Sequence, residues 1–291
     1  MKKAIKDFYA TPAILLNKTR MGHLKTAVAN RNADHISSDH YGPASVRNLL
    51  EDIYHEKCSY CESTVKQVAT LQVEHYRPKN AVSEDASHPG YYWLVLEWSN
   101  LLLGCPSCNG QGAKGNKFPI YGSRVMSLNP FDTADNFILQ SLRADQSPHF
   151  DEQAILLHPE IDDPDDHLKF TKMGEIEGVT ERGRGTIEIC NLNRDTLFKS
   201  RQAIINNFLK QCEIISEGKD KGFLDDAGVE FFLNHQLNLL LQHRDDPKAP
   251  YTSFVNYILN HPETCILPRI EPLFQPDFQR AFAKFKQEAL N

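Results

Sequence analysis

Four cysteines in two identical pairs constrain this chain more than any other feature. Cys58 and Cys61, and then Cys105 and Cys108, each form a C-x2-C knuckle. Zn²⁺ takes four ligands in a tetrahedron, and each knuckle offers two thiolates from one tight turn. Together they predict a structural zinc site. The 43 residues between the knuckles exceed what a compact zinc ribbon holds, so a working segment would sit inside the metal clip. Structural zinc contributes about 10–16 kcal/mol in small peptides, which exceeds the net stability of many small domains. The same spacing also fits four unrelated thiols or a redox pair. Cys190, Cys212 and Cys265 stand singly in apolar contexts and read as buried core thiols.

The rest of the composition sets bounds. A chain of 291 residues with 41% hydrophobic and 24% charged side chains has the make-up of an ordinary globular protein, as one elaborated domain or two. Lys6 and Asp7 interrupt any apolar run at the start, so no secretory leader is expected. The densest apolar stretch, Tyr91 to Leu96, ends at Glu97 and is too short to span a bilayer. A soluble cytoplasmic protein is the expectation, and in a reducing cytosol paired cysteines serve metals more than disulfides. The net charge of −6 is unevenly spread. Residues 1–130 carry 15 Lys+Arg and 11 Asp+Glu, for +4; residues 131–291 carry 17 and 27, for −10. The slightly basic part holds the cysteines, as a phosphodiester-handling site would need. The acidic part, with Asp162-Asp163-Pro164-Asp165-Asp166, reads as a solvated face or as a surface that needs a partner protein to cradle nucleic acid.

Three segments follow from the pattern. Residues 1–44 are a polar N-terminal arm with little periodicity, packing on a partner or on the core. Residues 45–130 form the zinc-bracketed core, and residues 131–291 a mainly helical extension. Within the core, Val46, Leu49, Leu50, Ile53 and Tyr54 recur at helical spacing and lead to Cys58. Val68–Val73 alternates as a strand with His75 at its end. A short helix follows Pro89 and ends near Trp98, Leu101–Leu103 is a second strand, and a helix starts around Cys108. Beyond Pro130, Thr186–Leu192 reads as a short strand. Helices are expected over Arg194–Ser216, with Leu197, Ile204, Ile205, Phe208, Leu209, Cys212 and Ile215 inward, and over Val229–Gln242, Ser253–Leu259 and Asp277–Leu290.

Between the knuckles lies Val73-Glu74-His75-Tyr76-Arg77-Pro78-Lys79. Phosphodiester hydrolysis needs an activated water, a cation on the phosphate and help for the leaving oxygen. His75 takes up protons near neutral pH and suits a general base. Glu74 supplies a hard oxygen for Mg²⁺ or Mn²⁺, and Asn109 supplies another. Neighbours on a strand face opposite ways, so a twist or bulge must bring Glu74 and His75 to one cleft. Arg77, Lys79, Lys114 and Lys117 are candidate phosphate contacts. Taken singly, His75 fits a hydrogen-bonded strand-end histidine, Glu74 a surface acid paired with Arg77, and Asn109 a helix cap.

Glu74-His75 through Pro78, Trp98-x-Asn100-Leu101, Cys105-x-x-Cys108-Asn109 and Lys114-Gly115 resemble the zinc-containing HNH endonucleases. The resemblance implies an α+β fold: a zinc-stapled ββα-metal nuclease core with a mainly helical C-terminal extension. It implies His75 as general base, Glu74 and Asn109 as ligands of the catalytic magnesium, and Asn100 as the central asparagine bracing the loop that holds the base. Asn109 stands where many members carry His, and remains an acceptable oxygen ligand. His88-Pro89-Gly90-Tyr91-Tyr92-Trp93-Leu94 and Glu97-Trp98-Ser99-Asn100-Leu101-Leu102 resemble the HNH subunits of Septu-type anti-phage systems and their retron-associated relatives. Leu157-His158-Pro159, Asp163-Pro164, Thr186-Ile187-Glu188 and Leu192-Asn193-Arg194 extend that likeness. It implies an effector nuclease acting on DNA or RNA and restrained by an ABC-type ATPase subunit, with a reverse transcriptase and its multicopy DNA in retron versions. Two other readings stay open: a non-catalytic zinc module that binds nucleic acid or a partner, and a thiol-disulfide protein.

Overall fold

The computed structural model describes residues 1–65, 68–138 and 142–289. The chain divides into two compact units: Met1–Leu168 with Gly178–Leu192, and Lys169–Glu177 with Asn193–Asn291. The first unit therefore runs well past residue 130.

In the first unit, α1 (Lys18–Asn30) starts where the Asn17 side chain accepts a hydrogen bond from the Arg20 amide, and stops at Arg31 in a left-handed conformation. Its Leu24 and Ala27 are buried, so residues 1–44 hold more regular structure than their composition announced. A single turn, α2 (Ser38–Tyr41), leads through Gly42 and Pro43 into α3 (Ala44–Ile53). Val46, Leu50 and Tyr54 go inward as the spacing requires, while Leu49 remains 44% exposed. Strands β1 (Gln72–His75) and β2 (Leu101–Gly104) pair antiparallel, with His75 opposite Leu101 and Glu74 opposite Leu102. Between them the chain makes two 3-10 turns, Tyr92–Leu94 and Trp98–Asn100, in place of the short helix expected after Pro89. The helix expected around Cys108 is one turn, α4 (Pro106–Asn109). Glycines at 110, 112 and 115 follow within six residues and give the backbone no reason to continue helically.

Buried polar side chains knit this unit together. Lys6 Nζ donates to the carbonyls of Trp98 (2.9 Å) and Leu101 (2.7 Å) and pairs with Glu160 at 2.8 Å. The Tyr54 hydroxyl also donates to Glu160. Trp93 Nε1 donates to His149 Nε2 at 3.1 Å, and His158 Nε2 faces the Ser99 carbonyl at 3.1 Å. Strands β3 (Leu168–Phe170) and β4 (Ile176–Gly178) form a second two-stranded sheet, by which the chain passes into the second unit and back.

Thr186–Leu192, expected as a strand, belongs mostly to helix α5 (Glu181–Cys190). The Thr180 hydroxyl caps it by accepting from the Gly183 amide at 3.0 Å. Thr186, Ile189 and Cys190 then fall on one buried face at helical spacing. A Cβ on Gly183 would stand 2.1 Å from the His167 carbonyl oxygen, so glycine lets this helix lie close to its neighbour.

The second unit is helical: α6 (Asp195–Asp220), α7 (Asp226–Asp245), α8 (Thr252–Asn260), the single turn α9 (Pro262–Cys265) and α10 (Gln275–Ala289). Helix α7 packs against α6, α8 and α10, around Phe208, Leu233, Leu237, Phe254, Phe278 and Phe285. Ile204 and Leu209, expected inward on α6, are only half-buried. Leu290, the expected end of the last helix, lies outside the described residues. No helix among the described residues is long and apolar enough to cross a membrane.

Burial pushes both His149 and His158 from 6.5 down to about 3. The folded chain keeps these rings neutral while the unfolded chain protonates them below about 6.5, so their contribution is present above that pH and lost as pH falls toward 3. The carboxyls of Glu97 and Glu160, raised by burial, act in the opposite sense, losing stability as pH rises through their folded range. Thermal melts should therefore fall on acidification below about pH 6.5, each histidine contributing on the order of a few kcal/mol at the acid limit. A His158→Gln variant should show a shallower acid-side decline than the parent.

Candidate metal centre and acid–histidine site

The two knuckles meet. Cys58 and Cys61 lie in the turn after α3, and Cys105 and Cys108 in the turn after β2, where Pro106 at the first helical position shapes α4. The four sulfur atoms lie within 4.8 Å of one another and all four residues are buried. Cys61 Sγ and Cys105 Sγ are 3.8 Å apart, which is about the edge of a tetrahedron whose metal–sulfur bonds measure ~2.3 Å. None of the seven cysteines is in a disulfide. Four such thiolates fit a soft divalent metal such as zinc. Cys190, Cys212 and Cys265 are fully buried in the packing.

The β1–β2 register is regular, with no bulge, so Glu74 and His75 leave the strand on opposite faces. The expected turn into one cleft is absent, and Tyr41 links the two groups instead, packing on the His75 ring and lying near the Glu74 charge. The His75 ring is buried, with Nε2 3.0 Å from the Val95 carbonyl and the ring edge-to-face with Tyr41 at 4.4 Å. A carbonyl only accepts, so Nε2 carries the proton and Nδ1 the lone pair. Burial holds the ring neutral, its pKa down at about 3, against the smaller opposing effect of the Val95 bond.

Asn100 fixes the loop that provides this carbonyl. Its Oδ1 accepts from the Arg77 amide at 2.8 Å, and its Nδ2 donates to the carbonyls of Arg77 (3.2 Å) and Leu94 (3.3 Å). The strand exit is thereby clasped to the residue preceding Val95.

The other face of β1 carries Glu74. Its Oε1 lies 2.5 Å from Lys114 Nζ, and the same ammonium donates to the His75 carbonyl at 2.8 Å. Burial raises the Glu74 pKa, with the Lys114 charge working against it. A Cβ on Gly104 would stand 3.4 Å from Glu74 Cβ and 3.6 Å from Asn109 Cβ, so the bare backbone of Gly104 lies between these two side chains. Asn109 Nδ2 donates to Gln72 Oε1 at 3.0 Å, which orients Oδ1 as an acceptor. One carboxylate and one carboxamide oxygen on the same side suit Mg²⁺, which binds through few protein oxygens and keeps its waters. Lys114 competes for that carboxylate.

Three of the four candidate phosphate contacts are engaged inside the protein. Arg77 is 2% exposed; its Nε is 2.8 Å from Glu152, and its guanidinium donates to the His149 carbonyl at 2.6 Å. Lys114 is held as described, and Lys79 donates to the Ile36 carbonyl at 2.8 Å. Buried cations need internal partners, and a spacing pattern does not reveal which basic side chains will be buried. Of the four, Lys117 alone makes neither a side-chain hydrogen bond nor an ion pair with a described residue, while Lys79 meets backbone carbonyls only. Glu74, read as a possible surface acid beside Arg77, is buried with Lys114 instead.

Sequence reasoning did not find Tyr41, Gln72 or the Val95 carbonyl. Tyr41 touches the His75 ring, and its hydroxyl pKa is raised by burial and then by the nearby Glu74 charge. Its position before Gly42-Pro43 was the one available sign of a turn. A cavity of about 450 Å³, lined by Arg77, Tyr121, Phe150, Asp162 and Arg182 among others, has its charged groups already paired, Arg182 with Asp162 at 2.6 Å and Arg77 with Glu152 at 2.8 Å.

No protein-family model matches the chain, and no solved structure matches it. Among curated proteins it is 29% identical over 236 residues to the Septu protein PtuB of Bacillus mycoides, covering 75% of this chain and 74% of that protein. It is 30% identical over 175 residues to the Septu protein PtuA of the same strain, covering 59% of this chain but only 22% of that one. A Septu protein PtuB of Bacillus thuringiensis is 24% identical over 179 residues, covering 61% and 52%. The chain thus spans less than two thirds of the last two relatives.

Replacing Cys105 by Ser should lower metal content and melting temperature together, since structural zinc in small peptides is worth about 10–16 kcal/mol. His75→Ala should leave metal content unchanged. Elemental analysis beside thermal melts checks both, and equal melts for parent and Cys105→Ser would remove the structural role.

Proposed function

We propose that this chain is a metal-dependent HNH-type endonuclease that hydrolyses nucleic-acid phosphodiester bonds. We further propose that it is an effector of Septu-type anti-phage defence, controlled by an ATPase partner. The observation that carries the reading is the neutral His75 pinned at Nε2 by the Val95 carbonyl inside a loop clasped by Asn100. A ring so held presents one defined lone pair, at Nδ1, to a water. The similarity to Septu PtuB and PtuA supports the defence role. The PtuA match joins a segment like this one to a much longer chain, which supports a physical association with a large partner.

In this reading His75 Nδ1 takes the proton of the attacking water. A ring held near 3 is a weak base, and a phosphodiester anion beside it strengthens it by favouring the imidazolium. Glu74 and Asn109 would hold Mg²⁺ or Mn²⁺, whose chemistry there is to offset charge on the phosphate and on the departing 3′ oxygen. Asn100 keeps the base in place without touching substrate.

The second reading, a non-catalytic zinc module that binds nucleic acid or a partner, draws on the Lys114–Glu74 pair. A carboxylate already neutralised by an ammonium at 2.5 Å is less available to a metal.

Purified chain with its partner ATPase, on plasmid DNA and on RNA with Mg²⁺ or Mn²⁺, separates the two. The nuclease reading expects cleavage that His75→Ala lowers by about 10²–10⁴-fold, the usual worth of a general base, with metal content unchanged and the chain still folded at the assay temperature. Undiminished cutting by His75→Ala removes the base assignment. Retained zinc with no cutting under either metal selects the binding module.

A further inference from the structure

With Arg77, Lys79 and Lys114 engaged internally, only Lys117 of the four predicted contacts is left, and a further phosphate-binding group is to be sought beside β1. A groove of about 350 Å³ runs along the start of β1, lined by Ser38, Tyr41, Arg47, Gln72, Val73 and Asn109 among others. It lies at the small end of ligand-pocket sizes. Two of its walls belong to the candidate catalytic groups: Tyr41 is the residue packed on the His75 ring, and Asn109 is the one facing Glu74 across Gly104. Among the described residues strand β1 pairs only with β2, and Gln72 and Val73 at its start line the groove.

Arg47 is the one basic residue among the described residues of that lining. It sits in the first turn of α3, half-buried, and its hydrogen bond to the Gly42 carbonyl is a long one at 3.4 Å. No ion pair joins it to a described carboxylate. The segment that forms this wall is also the basic part of the molecule: residues 1–50 carry 8 Lys+Arg and 3 Asp+Glu, for +5. The surplus of residues 1–130 thus originates in the N-terminal segment, outside the zinc bracket.

We propose that this groove receives one phosphodiester unit of a nucleic-acid strand, with the Arg47 guanidinium on its non-bridging oxygens and Tyr41 and Asn109 flanking it. The inference rests on the nuclease reading and names the phosphate contact of that same site. A planar fork of donors suits the paired oxygens of a phosphate, and Arg47 is the fork with unused donors there.

The test is binding, measured on the full chain without added divalent metal so that cutting does not enter. The probes are a short fluorescein-labelled DNA strand, its duplex and the RNA strand of the same sequence, titrated over a range of salt. Arg47→Ala and the near-isosteric Arg47→Gln are expected to weaken binding on the order of tenfold. They should also reduce the slope of log K against log salt by about 0.7–0.9, the loss of one phosphate contact. Arg47→Lys should restore most of the slope, and Lys199→Ala on α6 should leave it unchanged. The probe with the largest Arg47 effect identifies the strand type. An unchanged slope in Arg47→Ala and Arg47→Gln overturns the assignment, as does an equal loss in Lys199→Ala or the absence of salt-dependent binding by the parent. Cleavage lost in His75→Ala with Arg47 silent would remove the groove and keep the nuclease. An Arg47 effect in a chain that cuts nothing would do the reverse.

Discussion

Four sulfur atoms within 4.8 Å of one another are the constraint from which the local order of the first unit follows. As thiolates they repel at that distance unless a cation sits among them, so the arrangement is stable with a metal and strained without one. The cluster fixes two turns that are far apart in sequence, and their backbone bonds carry the order outward. The Ser59 amide donates to the Leu103 carbonyl at 2.8 Å, joining the first knuckle to β2, and the Lys114 amide donates to the Cys108 carbonyl at 3.1 Å. Lys114 is thereby placed so that its ammonium reaches Glu74 and the His75 carbonyl. The four-cysteine cluster and the acid–histidine pair are thus connected through one lysine.

That lysine illustrates a division among the cations of the chain. Lys6, Arg77 and Lys114 are all nearly inaccessible and each meets a carboxylate within 2.8 Å. An ammonium or guanidinium taken out of water needs such a partner and further hydrogen bonds. Lys6 and Lys114 also bind backbone carbonyls around the β1–β2 hairpin, and Arg77 binds the His149 carbonyl, so these charges act on the fold and fix its loops. Charges meant for a ligand have to remain partly hydrated and unpaired, which is the state of Arg47.

How much of this was legible in the sequence depends on whether the signal was local. The knuckles, the second strand of the hairpin and the long helices were readable because spacing and periodicity are properties of neighbouring residues, whereas the first strand, expected over Val68–Val73, runs over Gln72–His75. Thr186–Leu192 was misread because β-branched residues raise strand propensity, while the Thr180 cap and the close packing at Gly183 decided for helix. The helix after Cys108 was overestimated, since the glycines that follow leave a single turn. In the first unit, the four cysteines that meet and the asparagine that braces the loop after β1 could be named in advance. The interior positions of Arg77 and Lys114 could not, because the carboxylate that buries Arg77 lies 75 residues away and the lysine beside Glu74 arrives from beyond the second knuckle. Tyr41 escaped for the same reason: its contact with His75 crosses from a segment that shows no periodicity.

The charge balance also changes once the structure is in hand. The excess acid of residues 131–291 is concentrated in residues 131–192, which carry 5 Lys+Arg and 14 Asp+Glu, while residues 193–291 carry 12 and 13. The helical unit is close to neutral and does not by itself repel a polyanion. Several acids of the 131–192 stretch are turned inward onto cations, Glu152 onto Arg77, Glu160 onto Lys6 and Asp162 onto Arg182. Charges separated by more than a Debye length, about 8–10 Å in physiological salt, act almost independently. Approach of a phosphate to β1 is then governed by the groups lining the groove, where Arg47 stands, and only weakly by the formal −6 of the whole chain. A long strand or duplex extends further, over the acidic stretch, and requires basic surface from a second protein to stay bound. A chain with the Arg47 contact of its own would hold a short strand weakly, and a long one only with basic surface added by a partner.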